Sequence, residues 1–346
     1  MSKSNRTSEQ YVVGKSRIND LFKSWLEQGN CLYIPVMQDG NAEFSEWEPG
    51  KNIPSDYSNT TVSPKSFFFP QNETLCTFKD ETLENTSLPK DPFILFGVRP
   101  CDASAIFLMD RLFNEFGGRP DPYYQRRREL STIVSLACTQ PADTCFCASV
   151  GGDPAGKRGT DILAFEIEDR FLLEPVTECG KNLLGSSSEI LEKPGKSDIE
   201  AKEKLINENR KAVRQFDLSG LKEKLEKHFE SDLWKSVSEI CRGCGLCTYL
   251  CPTCHCFDIR DETKGRSGRR VRTWDSCQFS FFTLHASGHN PRPSRKERMR
   301  QRILHKFQYT VDNLDEIFCV GCGRCVSHCP VNLDIRDILE KMNRTE

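Results

Sequence analysis

This 346-residue sequence lacks the features of several large protein classes. It has no hydrophobic run of membrane-spanning length, so we expect no membrane span. Its polar start has no apolar stretch of the kind found in signal peptides, so we expect a cytoplasmic protein. The formal net charge is only −2 and no nucleic-acid-binding motif is present, so we expect no nucleic-acid partner.

Motifs of catalysis are missing as well. No G-x-G-x-x-G pattern follows a predicted strand, which argues against a Rossmann dinucleotide site. No constellation of His, Asp and Ser stands out, and we therefore predict no catalytic residue. What the sequence does contain is 18 cysteines. Their metal-type spacing, without a signal sequence, predicts metal-bound thiolates in a reducing compartment rather than disulfides.

Two short stretches contain most of these cysteines. Residues 241–256 read CRGCGLCTYLCPTCHC, and residues 319–330 read CVGCGRCVSHCP. Both contain C-x2-C-x2-C-x3-C-P, the iron–sulfur run of bacterial ferredoxins. Zinc sites usually show two separated C-x2-C pairs instead of a triplet followed by Cys-Pro. The pattern therefore predicts two [4Fe-4S] clusters.

The spacing within each run predicts how the ligands are shared. Three cysteines at two-residue gaps wrap one cluster, whereas the fourth serves the other cluster in two-cluster ferredoxins. We therefore predict two cross-ligated sets, namely Cys241, Cys244, Cys247 and Cys329 for one cluster, and Cys319, Cys322, Cys325 and Cys251 for the other.

A further group of cysteines follows two predicted strands in the N-terminal half. The apolar runs at residues 92–98 and 132–137 read as buried strands. Ligands in α/β sheets bind at the carboxyl ends of strands. We predict a third cluster site formed by the four cysteines that lie there, Cys101, Cys138, Cys145 and Cys147. The alternative is a set of packed thiols without metal.

Three more cysteines remain: Cys254 and Cys256 at the end of the first stretch, and Cys277 in the segment between the two runs. They make three of the four ligands that a fourth cluster would need. The remaining ligand could come from His255, Asp275, a partner protein or an N-terminal cysteine. The alternative is that these thiols stabilise the region without metal, and we favour metal ligation.

Sixty-seven residues separate Cys251 from Cys319. This insert contains a predicted helix that starts with a capping box at Ser294 and Glu297. A helical insert favours the α-helical ferredoxin architecture over the small β-hairpin form. We expect six basic residues on the helix surface, either as a solvated face or as a docking surface for an acidic partner: Arg295, Lys296, Arg298, Arg300, Arg302 and Lys306.

The pattern as a whole predicts an α+β protein. We expect an N-terminal α/β domain over residues 1–204 and a mostly α-helical ferredoxin-type domain over residues 205–346. A polar, charged stretch at residues 185–204 reads as a linker or surface segment.

Several segments together resemble a known family. They are GVRPCDASAI, ACTQPADTCFC, CRGCGLCTYLCPTCHCFDI, TWDSC, and ERMRQRILHKF followed by CVGCGRCVSHCP. They resemble the iron–sulfur β subunit of soluble sulfhydrogenases, and are equally similar to the A subunit of anaerobic sulfite reductase. A related subunit accompanies flavin oxidoreductase–heterodisulfide reductase complexes. The resemblance covers about residues 90–340 and includes all fifteen cysteines assigned above.

The resemblance implies an electron-transfer subunit rather than a catalyst by itself. It implies one partner subunit that carries flavin and oxidises NAD(P)H, and a catalytic hydrogenase, sulfite reductase or heterodisulfide reductase partner. The alternative is an enzyme subunit with its own flavin- or cluster-based active site in the N-terminal domain. An iron–sulfur redox sensor is a third hypothesis, against which the missing recognition motif argues.

Overall fold

The computed structural model describes residues 9–55 and 57–345, so the first eight residues of the polar start lie outside the described part. The chain forms two compact units. The first unit contains the described residues up to Val62, then Lys90–Phe107 and Arg128–Arg214. The second unit contains Ser63–Pro89, Leu108–Arg127 and the chain from Gln215 onward. Both units are discontinuous in sequence, so their limits do not coincide with a single boundary after residue 204.

The first unit is built on a seven-stranded sheet. Its strands, in spatial order, are β1 (Tyr11–Gly14), β9 (Arg170–Pro175), β8 (Ile162–Ile167), β7 (Ser131–Leu136), β6 (Phe93–Val98), β2 (Cys31–Gln38) and β3 (Asn41–Glu46). Strands β2, β6, β7 and β8 run parallel, whereas β1, β3 and β9 pair antiparallel with their neighbours. The central strands are buried on both faces, which explains their continuous apolar sequences. The strands predicted near residues 92–98 and 132–137 are confirmed.

Helices cover both faces of this sheet. On one face, α1 (Ile18–Glu27) and α4 (Glu178–Gly185) pack against the larger apolar core. On the other face, α5 (Lys196–Ala212) contributes Ile199, Leu205 and Ile206 to a second core. The sequence predicts a linker or a surface segment at residues 185–204, and the linker alternative is wrong in the second half, where α5 begins. These apolar residues lie on one helical face, and their burial stabilises a helix in a segment that is otherwise charged.

Two helices, α2 (Pro100–Asp110) and α3 (Pro122–Glu129), connect β6 to β7. A π-helical turn (Arg111–Glu115) and a 3-10 turn (Phe116–Gly118) lie between them. The chain passes from the first unit to the second within α2 and returns within α3. Within the described ranges, every helix is too short or too polar to cross a bilayer.

The second unit combines a four-stranded antiparallel sheet with short helices. The sheet order is β10 (Phe257–Lys264), β11 (Ser267–Trp274), β4 (Asn72–Lys79) and β5 (Thr82–Asn85). The helices are α6 (Leu221–Lys227), α7 (Leu233–Ser238), α8 (Leu246–Tyr249), α9 (Arg295–Leu304), α10 (Thr310–Leu314), α11 (Arg324–Ser327) and α12 (Ile335–Arg344). The protein is thus α+β, as the sequence predicts.

The insert between the two cysteine runs differs from the prediction, because it begins with a β-hairpin. Strands β10 and β11 pair through their whole length, with Asp261 opposite Arg270 and Glu262 opposite Arg269. The nitrogen–oxygen distances of these ion pairs are 2.8 and 2.7 Å. Cross-strand charge pairs of this kind stabilise an exposed hairpin that has little apolar alternation. The predicted helix with its capping box is confirmed as α9.

Phe96, on β6, lies at the centre of the first unit. Its side chain is fully buried, and its ring centroid lies 5.1 Å from that of Phe22 and 6.3 Å from that of Trp25. It also makes an edge contact with Phe171 on β9, at 5.9 Å between centroids. This ring therefore links α1 to two strands of the sheet.

Replacing Phe96 with alanine should lower the free energy of unfolding by about 3–5 kcal/mol, because a buried cavity replaces the ring. Urea unfolding followed by tryptophan fluorescence measures the change, since Trp25 reports on this core. Met37→Ala on β2 is the control: Met37 is 53% exposed, so the change should stay within about 0.5 kcal/mol. Equal effects of the two substitutions would contradict the central role of Phe96.

Candidate metal centres

The two cysteine runs adopt the same local structure. In each, an irregular loop with two glycines in the left-handed region leads into a four-residue helix, α8 or α11. In the first run these glycines are Gly243 (φ 68°) and Gly245 (φ 79°). A Cβ atom on Gly245 would lie 2.7 Å from the ring of Phe279, so a larger residue would not fit. The repeated motif thus gives a repeated loop.

A pocket of about 560 Å³, part of it open to solvent, lies beside the first run. Cys241, Cys244 and Cys247 of the first run line it together with Cys329 of the second run. Its remaining wall is largely apolar and includes Met299, Ile303, Leu333, Ile335 and Ile338. The four predicted ligands of one cluster, drawn from both runs, therefore surround a single cavity.

Backbone amides in this pocket donate to the sulfurs. The Gly243 N–H donates to Cys241 Sγ at 3.4 Å, and the Leu333 N–H donates to Cys329 Sγ at 3.2 Å. Burial raises the pKa of Cys241, and the nearby thiols of Cys247, Cys244 and Cys329 raise it further. Four converging sulfurs, two of which accept amide hydrogen bonds, fit a thiolate-ligated cluster, whose sulfurs are normally hydrogen-bonded.

The second predicted set is more deeply buried. Burial raises the pKa of Cys325 to about 12, and the neighbouring Cys319 and Cys251 contribute to the rise. Cys322 is also buried, in the loop before α11. Cys251 from the first run thus interacts electrostatically with two cysteines of the second run. Cys325 also lines the pocket of the first set, so the two candidate centres are adjacent.

The basic face that the sequence predicts for α9 is wrong for three of its six residues. Arg298, Arg302 and Lys306 are buried, with Lys306 in the π-helical turn (His305–Tyr309) that continues the helix. Arg302 Nε donates to Cys247 Sγ at 3.2 Å, and Lys306 Nζ donates to Cys251 Sγ at 3.3 Å. Arg302 and Lys306 are buried because their partners are sulfurs and oxygens in or beside the cysteine runs, whereas Arg298 donates to the carbonyls of Arg292 and Pro293.

The other three basic residues of α9 lie nearer the surface. Arg295 is exposed. Lys296 and Arg300 both pair with Glu230, at nitrogen–oxygen distances of 3.9 and 3.0 Å. The chain's own carboxylate thus neutralises part of the predicted docking surface.

Cys254, Cys256 and Cys277 form two thiol contacts beside the first run. The Cys254 thiol donates to Cys251, which lowers the pKa of Cys251 well below the usual range and raises that of Cys254. The Cys277 thiol donates to Cys256 and lowers its pKa in the same way. Among residues 9–55 and 57–345, no three His, Cys, Asp or Glu side chains are arranged as around a single metal ion.

In the first unit, Cys138, Cys145 and Cys147 lie together beyond the end of β7. Burial raises the pKa of Cys138 to about 11 and that of Cys147 to about 12. Cys145 adds to the rise at both, whereas Arg99 opposes it at Cys138. The Cys138 carbonyl accepts a hydrogen bond from Asn209 Nδ2 at 2.7 Å, which fixes the loop on α5.

Cys101 lies in the first turn of α2, just past the end of β6, which is the neighbour of β7 in the sheet. Its thiol donates to Asn59 Oδ1 at 3.7 Å. Arg99, two residues earlier, donates to the carbonyls of Leu136 and Ala137 and stacks on Tyr57. Arg99 thus fixes the ends of both strands, next to Cys101 and Cys138.

Sequence reasoning missed the buried cations. Arg302 and Lys306 are four positions apart, a spacing that places two side chains on one helical face. A third buried cation, Lys65, donates to the carbonyls of Thr248 and Cys254 at 3.3 and 3.0 Å. The spacing on α9 was a usable signal, whereas nothing near Lys65 in the sequence indicates its distant partners.

Comparison with known proteins agrees with this geometry. Residues 240–333 match the 4Fe-4S dicluster domain family, and this range contains both cysteine runs as well as Cys254, Cys256 and Cys277. The chain is 32% identical over 336 residues to sulfhydrogenase 2 subunit beta of Pyrococcus furiosus, an alignment that covers 96% of this chain and 98% of the relative. With this identity over nearly its whole length, the chain belongs to the family of iron–sulfur β subunits of sulfhydrogenases.

Proposed function

We propose that this chain is the electron-transfer subunit of a cytoplasmic multi-subunit oxidoreductase. It relays electrons between a flavin-containing subunit that oxidises NAD(P)H and a catalytic hydrogenase or reductase subunit. The observation that carries this proposal is the pair of adjacent cysteine-lined centres, which share Cys325 at their boundary. The relative is by name one subunit of a sulfhydrogenase, which supports a partner of the hydrogenase type.

In this proposal the protein's own residues hold and insulate the redox groups. Bound [4Fe-4S] clusters supply one-electron chemistry without proton transfer to a substrate. The apolar wall formed by Met299, Ile303 and Ile338 limits water at the first centre. The amides of Gly243 and Leu333 and the cations of α9 stabilise negative charge on the sulfurs.

We propose that the ligand sets are those predicted from the sequence. One is Cys241, Cys244, Cys247 and Cys329, and the other is Cys319, Cys322, Cys325 and Cys251. The shared pocket supports the first set, and the mutual influence of Cys251, Cys319 and Cys325 supports the second.

We further propose a third cluster in the first unit, with Cys101, Cys138, Cys145 and Cys147 as ligands. The grouping of the last three, beside a strand end that Arg99 ties to β6, supports it. A fourth cluster at Cys254, Cys256 and Cys277 has weaker support, because these thiols contact one another and Cys251 in pairs.

The function is tested on the natively isolated complex and on the single chain. The isolated chain should show a broad absorption at about 400 nm that dithionite bleaches. Its native complex should contain a flavoprotein and a hydrogenase or reductase subunit. A colourless chain with stoichiometric zinc would refute the proposal. Flavin bound to the chain alone, with turnover of a small substrate, would favour an active site in the N-terminal domain instead.

Cross-ligation makes a specific prediction for serine variants. Cys251→Ser should give the electron paramagnetic resonance (EPR) spectrum of Cys322→Ser, although these residues belong to different runs. Cys329→Ser should likewise reproduce the spectrum of Cys244→Ser. Each variant removes a ligand of the cluster held mainly by the opposite run, so that cluster alone is damaged.

The exposed Cys179, in the first unit, provides the control for this series. Cys179→Ser should leave the iron content and both EPR signals unchanged. If Cys251→Ser instead reproduced Cys244→Ser, the ligand sets would be local to each run and the pairing would be wrong.

The third cluster predicts the iron content. Anaerobically prepared protein should hold about twelve irons per chain, since each [4Fe-4S] cluster holds four, and about sixteen if the fourth site is filled. Cys101→Ala should lose about four irons while the ferredoxin-type EPR signals persist. Cys31→Ala, which removes a thiol at the start of β2, should lose none. About eight irons, unchanged by Cys101→Ala, would show that the N-terminal cysteines are structural.

A further inference from the structure

Two buried cations lie one helical turn apart and contact different sulfurs. Arg302, near the end of α9, donates from Nε to Cys247 Sγ at 3.2 Å and from Nη2 to the Cys247 carbonyl at 2.9 Å. Lys306 donates from Nζ to Cys251 Sγ at 3.3 Å, to Thr253 Oγ1 at 2.9 Å and to the Phe318 carbonyl at 2.8 Å. Cys247 and Cys251 are close in sequence but belong to different predicted ligand sets.

The burial of these cations requires a negative partner. Arg302 and Lys306 are each only 4% exposed. Burying an unpaired charge is costly, and such charges are normally matched by a carboxylate or a metal-bound anion. Within the described ranges, neither side chain has a carboxylate among its hydrogen-bond partners. Their partners are carbonyls, one hydroxyl and the two sulfurs, so the sulfurs are where negative charge can match them.

Arg302 lies on α9, and Lys306 lies in the π-helical turn that continues this helix. The N-terminus of α9 is closed by the capping box, in which the Ser294 N–H donates to Glu297 Oε2 at 2.8 Å. Met299 and Ile303, on the same helix, line the first pocket and are buried. This buried helix and the turn that continues it therefore direct both cations toward the sulfurs.

We propose that Arg302 and Lys306 set the reduction potentials of two different clusters. Arg302 acts on the cluster of Cys241, Cys244, Cys247 and Cys329, and Lys306 acts on the cluster of Cys319, Cys322, Cys325 and Cys251. The inference rests on the proposed ligand sets. Reduction adds one electron to a cluster and makes it more negative by one charge. A fixed cation that donates to a ligand sulfur favours this reduced form and raises the potential.

The test is a potentiometric titration of the full chain, followed by EPR and accompanied by iron analysis. Cys244→Ser and Cys322→Ser assign the two midpoints to their clusters. Arg302→Gln and Lys306→Gln remove the charge but keep an amide donor. Arg298→Gln is the matched control, because Arg298 is a buried arginine one turn earlier whose side chain donates to the carbonyls of Arg292 and Pro293.

We expect Arg302→Gln to lower mainly the midpoint of the first cluster. At a fixed potential the ratio of reduced to oxidised cluster should fall about tenfold, which corresponds to about 59 mV for one electron. Lys306→Gln should lower mainly the midpoint of the second cluster by a similar factor. Arg298→Gln should change neither, and the charge-conserving variants Arg302→Lys and Lys306→Arg should restore most of each shift.

The other possible results distinguish a failure of this inference from a failure of the proposed function. Full iron content with unchanged midpoints in both glutamine variants would overturn the inference and leave the electron-transfer function intact. A shift of the same midpoint by both variants would overturn the assignment of the cations and show that the ligand sets are wrong. If a glutamine variant loses iron, Arg302→Lys and Lys306→Arg provide the decisive measurement. Clusters that are retained at native potentials in these variants support the proposal. Loss of the clusters in these variants shows that the side chain acts only in packing.

Discussion

A thiolate that leaves water must find hydrogen-bond donors or positive charge, or else it stays protonated. The second unit brings many thiols into a largely buried region, and much of its structure supplies this compensation. The Gly243 amide in the first glycine loop donates to Cys241, and the Leu333 amide donates to Cys329. Arg302 on α9 and Lys306 in the π-helical turn that continues it reach the same region. Positions on that helix that would otherwise be solvated are buried for this reason.

The same requirement explains why distant parts of the chain meet in the second unit. Lys65 comes from the N-terminal half, yet its ammonium donates to carbonyls of the first cysteine run and stacks on Trp274 at 4.0 Å. Burial lowers the pKa of Lys65 to about 8, although the thiols of Cys254 and Cys251 oppose this. Trp274 in turn donates to the Phe69 carbonyl at 3.0 Å. Residues 63–89 are thus a structural part of the iron–sulfur unit.

Local patterns in the sequence predicted much of the fold and the composition of the site. The apolar runs predicted β6 and β7, because strands that are buried on both faces need such sequences. The capping box predicted the start of α9, because its hydrogen bonds are local. Cysteine spacing predicted the dicluster domain for the same reason, since one tight loop holds three ligands.

What sequence reasoning missed depends on distant partners. Half of the strand residues in the hairpin of β10 and β11 are charged, and β11 pairs with β4, which precedes it by nearly two hundred positions. Arg302 and Lys306 read as surface residues because charged side chains are usually solvated. Burial is favourable for these two cations only because the folded chain places thiols beside them.

The discontinuity of the second unit has a consequence for biosynthesis. β11 begins 188 positions after β4 ends. At the usual translation rate of roughly 5–20 residues per second, β11 is synthesised about 10–40 seconds after β4, with which it pairs. During this time the edge of β4 is unpaired and open to association with other chains. The second cysteine run is synthesised later still, so the clusters can be assembled only near the end of synthesis. A nascent chain that stalls before residue 319 has the thiols of the first run but lacks the ligands of the second run.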